Sequence, residues 1–303
     1  MPGDRSYLKG VLSGLAAASI WAGWNVMTRL AVTTNMDAWD IAALRFGVAG
    51  PLLIPVLLRR GLARDRLGWF GLAVIIAGLG APYALVAAGG LQFAPAYDQG
   101  ALNPGCMPLF VALIAMVALK ETLSITRKVG LSLILAGVTV IIAWHQWGGA
   151  WSISRTFGDT LFLLASFLSA TFTVRMRQAK LEPLHAAALV STGSLVIYLP
   201  VYLALHGARF AHLTLAAFGG QAFFQGVLVT IISLVLYGRA VDVLGASGGA
   251  AFGSLVPALS ALFAIPLLAE WPGDTGWVAI TLISAGVYLA SGGPLPQRRA
   301  LAR

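Results

Sequence analysis

The chain has 303 residues, of which 58% are hydrophobic and 10% are charged, whereas a soluble domain carries about 25% charged residues. A soluble protein of this composition could not cover its core with polar surface, so we expect lipid to be the solvent for most of the chain. The formal net charge is +9. The basic residues lie in short segments between apolar runs, without a basic helix or an aromatic–basic sheet motif, which argues against nucleic-acid binding.

A membrane-spanning helix needs about 20 mostly apolar residues, and the chain contains ten such runs. The first run extends to about Val32, which is too long for the apolar part of a signal peptide, so we interpret it as a membrane helix. The runs are longer than β-barrel strands and do not alternate as those strands do. In chain order, the predicted spans are 8–32, 38–58, 67–90, 94–119, 126–145, 157–178, 183–206, 211–237, 243–269 and 275–293.

The basic residues are distributed unevenly between the two sides of the predicted membrane. With the N-terminus in the cytoplasm, sixteen of them fall on the inner side and three on the outer side. This is the asymmetry that the positive-inside rule describes, and it predicts two cytoplasmic termini and an even number of helices. The outer residues are Arg29, Arg155 and Arg209, while Arg45 lies within a span.

The two halves of the chain match when they are aligned with an offset of 148 or 149 residues. Each half then holds five helices, an odd number, so the second half must enter the membrane with the opposite orientation. The sequence therefore predicts an all-α integral membrane fold of two inverted five-helix repeats around a central cavity. Residues 1–146 form the first repeat, 147–156 a linker, and 157–303 the second repeat with a basic tail. The matching pairs include Arg29 with Arg177, Pro108 with Pro257, Glu121 with Glu270, and Gly137 with Gly286.

Spans 4 and 9 are interrupted by prolines and glycines. Pro104 and Pro108 lie four residues apart in span 4, and span 9 contains Pro257 after a glycine-rich stretch. Proline removes a backbone donor and kinks a helix, and such breaks are tolerated at membrane depth where protein or a wet cavity satisfies the freed groups. Breaks at matching places in two halves are typical of a transporter binding site, and close packing of small residues is the alternative.

Polar and aromatic side chains within the spans are the candidates for lining this cavity. Trp21 and Asn25 lie one turn apart on span 1, and their repeat equivalents Ser169 and Thr173 have the same spacing on span 6. This spacing predicts two polar stripes that face each other, although Ser and Thr commonly bond to their own helix instead. The other candidates are Trp24, Tyr83, Tyr97, Asn103, Gln221 and Gln225.

Charged residues within the spans are few. Arg45 is a functional candidate because an intramembrane charge is costly; contact with substrate and an ion pair are both open, and a pair with Asp98 is favoured. Asp98 is the acid closest to the predicted midplane, so we expect a facilitator without a proton-coupling carboxylate. Glu121 and Glu270 lie at helix ends and are interpreted as structural. The histidines lack metal-ligand spacing, so no metal or cofactor is expected.

Several stretches resemble the EamA type of the drug/metabolite transporter superfamily. Residues 17–25 are similar to the family's Trp-containing first span, and Arg45 with Phe46 to its Arg-Phe signature in the second span. Residues 119–123, Leu-Lys-Glu-Thr-Leu, are similar to its Gly-Glu-Arg-Leu segment, with Lys and Thr in place of the commoner Gly and Arg.

The resemblance implies a secondary transporter rather than an enzyme, with a cavity formed by spans 1, 3, 4, 6, 8 and 9. It also implies a bacterial inner-membrane exporter of small metabolites, often amino acids. The expected partners are a small-molecule substrate and the lipid bilayer, and the expected state is a monomer. The competing interpretations are a proton-coupled antiporter of drugs or metabolites, a membrane enzyme that acts on lipids, and a sensor without flux.

Overall fold

The computed structural model describes residues 4–147, 152–207, 209 and 214–293, and these residues form helices and short connections without a β-strand. Most of the predicted linker, the start of predicted span 8 and the basic tail lie outside the described residues. The helices are α1 (Asp4–Thr34), α2 (Ala38–Arg60), α3 (Arg64–Leu79), α4 (Ala81–Gly90), α5 (Ala96–Leu102), α6 (Met107–Leu119), α7 (Ile125–Trp147), α8 (Ile153–Gln178), α9 (Pro183–His206), α10 (Leu215–Ala222), α11 (Ser233–Gly253), α12 (Val256–Leu268) and α13 (Gly273–Ala290), and a π-helical segment, Phe223–Ile232, joins α10 to α11.

Within the described part of the chain, eight helical stretches are long and apolar enough to cross a membrane. They coincide with predicted spans 2 to 9, so the protein is a multi-pass helical membrane protein. Helices α1 and α13 occupy the positions of predicted spans 1 and 10 and are not among these eight. The eight stretches are Ala38–Arg60, Arg64–Gly90, Ala96–Ala118, Ile125–Ala143, Ile153–Gln178, Pro183–His206, Leu215–Gly245 and Ser247–Leu268.

Local sequence signals explain where α2 begins and ends. Asp37 caps its N-terminus by accepting from the backbone N–H of Asp40, whose side chain accepts from the backbone N–H of Asp37 in return. This reciprocal capping satisfies two backbone donors that the helix itself leaves unpaired. Arg59 and Arg60 lie in the last turn, where positive charge is favourable, and Gly61 stops the helix at a φ of 70°.

Predicted spans 4 and 9 are both divided in the structure. Residues 103–106 separate α5 from α6, and residues 254–255 separate α11 from α12. Pro108 and Pro257 are each the second residue of the helix that restarts, where the missing proline N–H has no intrahelical partner to lose. Both restarted helices have 13 residues and end at a residue in the left-handed conformation, Lys120 and Ala269.

Helices of the first half pack against helices of the second half. The largest interfaces join α7 with α13, α1 with α11, α2 with α9, and α3 with α8. Helix α5 is the part of span 4 before its break, and α12 is the part of span 9 after its break. These two helices also pack on each other. The core of the bundle therefore lies between the two halves of the chain.

The interface of α7 with α13 depends on backbone contact between glycines. A Cβ atom placed on Gly286 would lie 2.6 Å from the carbonyl oxygen of Gly130 and 2.8 Å from the backbone nitrogen of Ile134. A Cβ placed on Gly130 would lie 2.5 Å from the backbone nitrogen of Ala290. Small residues at such positions let two membrane helices approach closely.

We expect Gly286→Ala to lower the thermal unfolding temperature of the detergent-solubilised protein, at a cost of about 1–3 kcal/mol, because the obstructing atoms belong to backbone that cannot turn aside. The matched control is Gly219→Ala in α10, where no described atom lies within 4 Å of the added Cβ and alanine favours the helix. Equal unfolding temperatures for the two variants would contradict the close helix contact.

Candidate functional site

The two ends of the bundle are named by the connections they contain. The end with the connection from α1 to α2, residues 34–38, is the distal end, and the end with the connection from α2 to α3, residues 60–64, is the proximal end. A layer of buried polar side chains crosses the bundle between them, in the distal half.

One part of this layer joins α1 to predicted span 8. Gln225 is fully buried, accepts from Trp24 Nε1 at 2.7 Å and donates to Thr28 Oγ1 at 3.0 Å. It also donates to Gln221 Oε1, and Gln221 donates to the carbonyl oxygen of Met27. Gln225 lies in the π-helical segment, and widened turns of this kind are frequent at functional sites. Each buried amide thus has partners on a neighbouring helix.

Trp21 and Asn25 join the same helix to two further elements. Trp21 Nε1 donates to Ser233 Oγ at 3.1 Å, and its ring lies 5.2 Å from that of Tyr237, both on α11. Asn25 Nδ2 donates to Ser260 Oγ of α12 at 2.7 Å, and both of these side chains are buried. Helix α1 is therefore bound by side-chain hydrogen bonds to predicted span 8, through Ser233, and to the part of span 9 that follows its break, through Ser260.

A third part of the layer lies around α5, all of whose residues are buried. Asn103, at the break after α5, donates to the phenol oxygen of Tyr83 at 3.0 Å. Gln99 lies one turn earlier, and neither polar atom of its amide has a partner among the described residues. A Cβ on Gly100 would lie 2.6 Å from Ser260 Oγ, so glycine is what allows α5 to approach this part of the layer.

The distal end of α5 is closed by an ion pair that the sequence analysis assigned wrongly. Asp98 pairs with Arg155 at the start of α8 rather than with Arg45, at 2.7 Å from its Nη2, and Arg155 also donates to the phenol oxygen of Tyr97. Asp98 and Arg155 both lie in the first turn of a helix that begins at the distal end, whereas Arg45 lies seven residues into α2, about 10 Å from the start of that helix. A cavity of about 220 Å³ adjoins this pair and extends to Trp271.

A second ion pair at the distal end joins three elements. Arg29 Nε lies 2.8 Å from Glu270 Oε1, and Arg29 also donates to the carbonyl oxygen of Leu91. The other carboxylate oxygen of Glu270 accepts from the backbone N–H of Ala96, in the first turn of α5. Glu270 therefore does more than terminate its own helix, because it fixes α1 and α5 to the connection between α12 and α13.

The proximal end has ion pairs of its own. Arg177 pairs with Glu121, and Arg60 pairs with Glu182. The hydrogen bond from Arg60 lowers the pKa of Glu182 below its usual value. Arg177 and Glu121 are the repeat equivalents of Arg29 and Glu270, so the same two residue types meet at opposite ends of the bundle.

The predicted polar stripe on span 6 forms its oxygen-accepted hydrogen bonds within its own helix. Ser169 Oγ donates to the carbonyl oxygen of Ser166, and Thr173 Oγ1 donates to that of Ser169, so both engage their own helix. Thr173 also contacts the sulfur of Met107 at 3.9 Å. The stripe of Trp21 and Asn25 therefore has no matching set of bonds from α8 among the described contacts.

Several residues of the site were not sequence candidates. Ser233 and Ser260 carry no strong signal, since each donates to its own helix, as serines in spans commonly do, while its oxygen accepts from α1. Arg155 was interpreted as a topology signal. Gln99 had a recognisable signal, because it is an amide one turn from Asn103 on an interrupted helix.

Interrupted helices that meet at a buried polar layer, inside a multi-pass helical bundle, are the features of a membrane transporter. Two segments of the chain, residues 8–143 and 156–292, match the model of the EamA-like transporter family. The chain belongs to this family, which is part of the drug/metabolite transporter superfamily. Family and relatives both indicate a transporter rather than an enzyme.

The relatives cover nearly the whole chain. A protein of Brucella anthropi described as a riboflavin transporter is 30% identical over 292 residues, which is 91% of this chain and 96% of the relative. A protein of Archaeoglobus fulgidus described as an uncharacterized transporter is 27% identical over 284 residues, or 90% and 93% of the two chains. One crystal structure shares the fold with a TM-score of 0.57 at 21% identity, over 93% of this chain and 96% of that one.

We expect Ser260→Ala to destabilise the protein by about 1–3 kcal/mol, because the buried amide of Asn25 loses its acceptor. Asn25→Ala combined with Ser260→Ala should cost less than the sum of the single changes, since the two side chains interact directly. Chemical unfolding in detergent measures all three. Ser254→Ala is the control, because Ser254 Oγ donates to the Ala251 carbonyl at the end of the preceding helix. Strict additivity of Asn25→Ala and Ser260→Ala would exclude the proposed coupling between these two side chains.

Proposed function

We propose that the protein is a secondary transporter of small metabolites, with amino acids as its substrates, that works by alternating access. The observation that carries this proposal is the buried polar layer where interrupted spans 4 and 9 meet α1. In an apolar bundle a set of tryptophan, asparagine and glutamine side chains is costly unless it is satisfied, and such sets mark substrate pathways. Export across a bacterial inner membrane, by a monomer with both termini in the cytoplasm, follows from the family resemblance and the charge asymmetry.

The proposed architecture has ten spans in two inverted repeats. Helix α1 has 31 residues and is about 46 Å long, and α13 has 18 residues and is about 27 Å long, so both can cross a bilayer core of about 30 Å with little or no adjustment. The two matches to one family model support a repeat. The equal lengths and equivalent ends of α6 and α12 support it as well. So does the packing, since α2 on α9 and α7 on α13 each join a helix to its proposed repeat equivalent.

The two equivalent ion pairs support a mechanism in which the ends of the bundle open in turn. Their surroundings differ: Arg29 and Glu270 have side chains 19% and 15% exposed, whereas Arg177 and Glu121 are 59% and 27% exposed. The distal pair also binds the backbone of Leu91 and Ala96. We infer a state that is closed at the distal end, which is the outer end in the proposed topology.

Repeat symmetry indicates what the opposite state would contain. The counterpart of Ala96 is Gly245, where α11 is broken at a φ of 80°. In an outward-facing state Glu121 would accept from the backbone N–H of Gly245, as Glu270 now accepts from Ala96. The two carboxylates would thus cap spans 4 and 9 alternately, and the helix breaks at residues 103–106 and 254–255 would allow the bending.

The driving force is proposed to be the substrate gradient alone, with a proton antiporter as the second candidate. Asp98 is engaged by Arg155 at the distal end, which fits a facilitator. The second candidate is favoured by Asp159, a buried residue of α8 close to Arg155. Asp159 lies six residues into α8, which is deeper than its predicted place at the start of span 6. Buried carboxylates of this kind serve as proton sites in transporters.

Counterflow in proteoliposomes tests the proposed function. The panel contains aromatic, aliphatic and polar amino acids together with riboflavin, which is a second candidate substrate because a relative over nearly the whole chain is described as a riboflavin transporter. We expect exchange of at least one amino acid above empty vesicles, reduced at least tenfold by Trp21→Ala with Asn25→Ala, as loss of about 1.4 kcal/mol of binding requires. Exchange of riboflavin alone would replace the amino-acid proposal, and no exchange of any compound would overturn transport of these metabolites.

The same vesicles test the coupling. Downhill flux should persist after a protonophore collapses the pH gradient, and it should persist in Asp159→Asn. The control is Asp274→Asn, a change at an exposed carboxylate in the first turn of α13. The contrary result is that flux through the native chain requires the pH gradient and that Asp159→Asn, but not Asp274→Asn, removes this requirement. That result would establish proton antiport instead.

We expect Glu270→Gln to open the distal end more often. The reporter is Ala101→Cys in a Cys106→Ser chain, since Ala101 is buried in α5. Loss of about 1 kcal/mol from the closed state should raise its labelling by a membrane-impermeant maleimide added outside about fivefold. Glu121→Gln, the matched change at the proximal end, should not raise it. Equal labelling in the two variants would contradict the exchange of ion pairs.

A further inference from the structure

Arg45 is a buried charge without a salt bridge among those described. It lies seven residues into α2 and is 8% exposed. Its Nε has no hydrogen-bond partner among the described residues, and the salt bridges described for the chain do not include it. The ring of its neighbour Phe46 lies 5.5 Å from the guanidinium carbon, which provides only weak compensation.

An arginine cannot avoid this cost by giving up its proton, because its guanidinium stays charged in proteins. Burial of an unpaired charge costs several kcal/mol even after relaxation. A helix of the length of α2 could have placed any apolar residue here. The charge therefore needs an anion that is not a permanent part of its surroundings.

Four carboxylates near the distal end are engaged by other residues. Asp37 pairs with Arg209, and Asp40 accepts from the phenol of Tyr202. Asp98 pairs with Arg155 and Glu270 with Arg29. The titratable side chain that interacts electrostatically with Arg45 is the phenol of Tyr83 on α4. This phenol is neutral at physiological pH, so it does not compensate the charge.

Tyr83 on α4 and Gln99 on α5 keep hydrogen-bond donors that no described residue uses. Tyr83 accepts from Asn103, which leaves the hydrogen of its own hydroxyl for another acceptor. Gln99, one turn from Asn103 on α5, has an unpartnered amide that is fully buried. The guanidinium of Arg45 and the phenol of Tyr83 offer donors that suit a carboxylate, since arginine binds carboxylates through two parallel bonds.

We propose that Arg45 binds the carboxylate of the transported substrate, so that the protein accepts small carboxylate-bearing metabolites and rejects their neutral amides. The inference rests on the proposed transport function and deepens it. Arg45 fixes one end of the substrate, and the remainder lies toward the polar layer of α1, where Trp24 and Asn25 contact it. The site is in the distal half of the bundle and is covered at that end by the pairs Asp98–Arg155 and Glu270–Arg29.

The first test measures binding without transport. The purified protein in detergent and low-chloride buffer is heated with L-phenylalanine, L-leucine or benzoate, each compared with its own amide, phenylalaninamide, leucinamide or benzamide. At least one acid is expected to raise the unfolding temperature while its amide does not. An equal shift with chloride in place of the acids would indicate a resident halide and would overturn the proposal.

Substitutions at Arg45 distinguish a ligand site from a structural charge. Arg45→Gln should abolish the response to the acids yet leave the ligand-free unfolding temperature equal or higher, because an uncompensated charge has been removed. A lower ligand-free temperature in Arg45→Gln would mean that the charge is paired within the protein and would overturn the proposal. Tyr83→Phe should weaken the response about fivefold, as loss of one hydrogen bond of about 1 kcal/mol predicts. Arg209→Gln, a change at an exposed arginine, should respond as the native chain does.

Counterflow separates failure of this inference from failure of the proposed function. If Arg45→Gln exchanges an acid as fast as the native chain does, or if acid and amide exchange equally, the proposed role of Arg45 is wrong. The proposed transport function is not contradicted by either result. Absence of exchange and of binding for every compound would overturn both. Exchange of an acid that is lost in Arg45→Gln and retained in Arg209→Gln is the result we expect.

Discussion

The structure depends on one constraint, which is that a polar group inside an apolar helix bundle must find a partner within the protein. Helix α1 shows how this constraint organises the fold. Its face with Trp21, Trp24 and Asn25 reaches three different segments of the second half, and each bond satisfies a group that lipid could not. The two halves of the chain are thereby held in one register. The same bonds would be lost or exchanged if the halves moved, so the constraint that fixes the fold also limits its motion.

Interrupted helices add backbone groups to this requirement. At the kink between α3 and α4, Ser194 of α9 accepts from the backbone N–H of Ala81. At the start of α5, Glu270 accepts from the backbone N–H of Ala96. A side chain from the other half of the chain thus stabilises each irregular point, which couples the shape of spans 3 and 4 to the position of the second half. This coupling is the physical basis for the alternating mechanism proposed above.

Much of the organisation followed from the sequence because it depends on local properties. Hydropathy located the helices of spans 2 to 9, and Pro108 and Pro257 fell where helices restart, since a missing N–H is a property of the residue itself. Side-chain partners were harder to predict. Ser169 and Thr173 had the spacing of a cavity stripe but bonded to α8, and Asp98 paired with Arg155 rather than Arg45, because helix ends that are distant in sequence meet at one level of the bundle.

The sequence by itself determined that the chain enters lipid and where the helices of spans 2 to 9 lie, because these follow from composition, length and the order of residues. Only the tertiary structure decided which polar groups meet. Arg45 is the clearest case. Its charge and its place within a span were evident from the sequence, but the absence of a described salt bridge to it depends on where Asp37, Asp40, Asp98 and Glu270 find their own partners. That is a property of the packed bundle, since a salt bridge is decided by distances of a few ångströms between elements far apart in the chain.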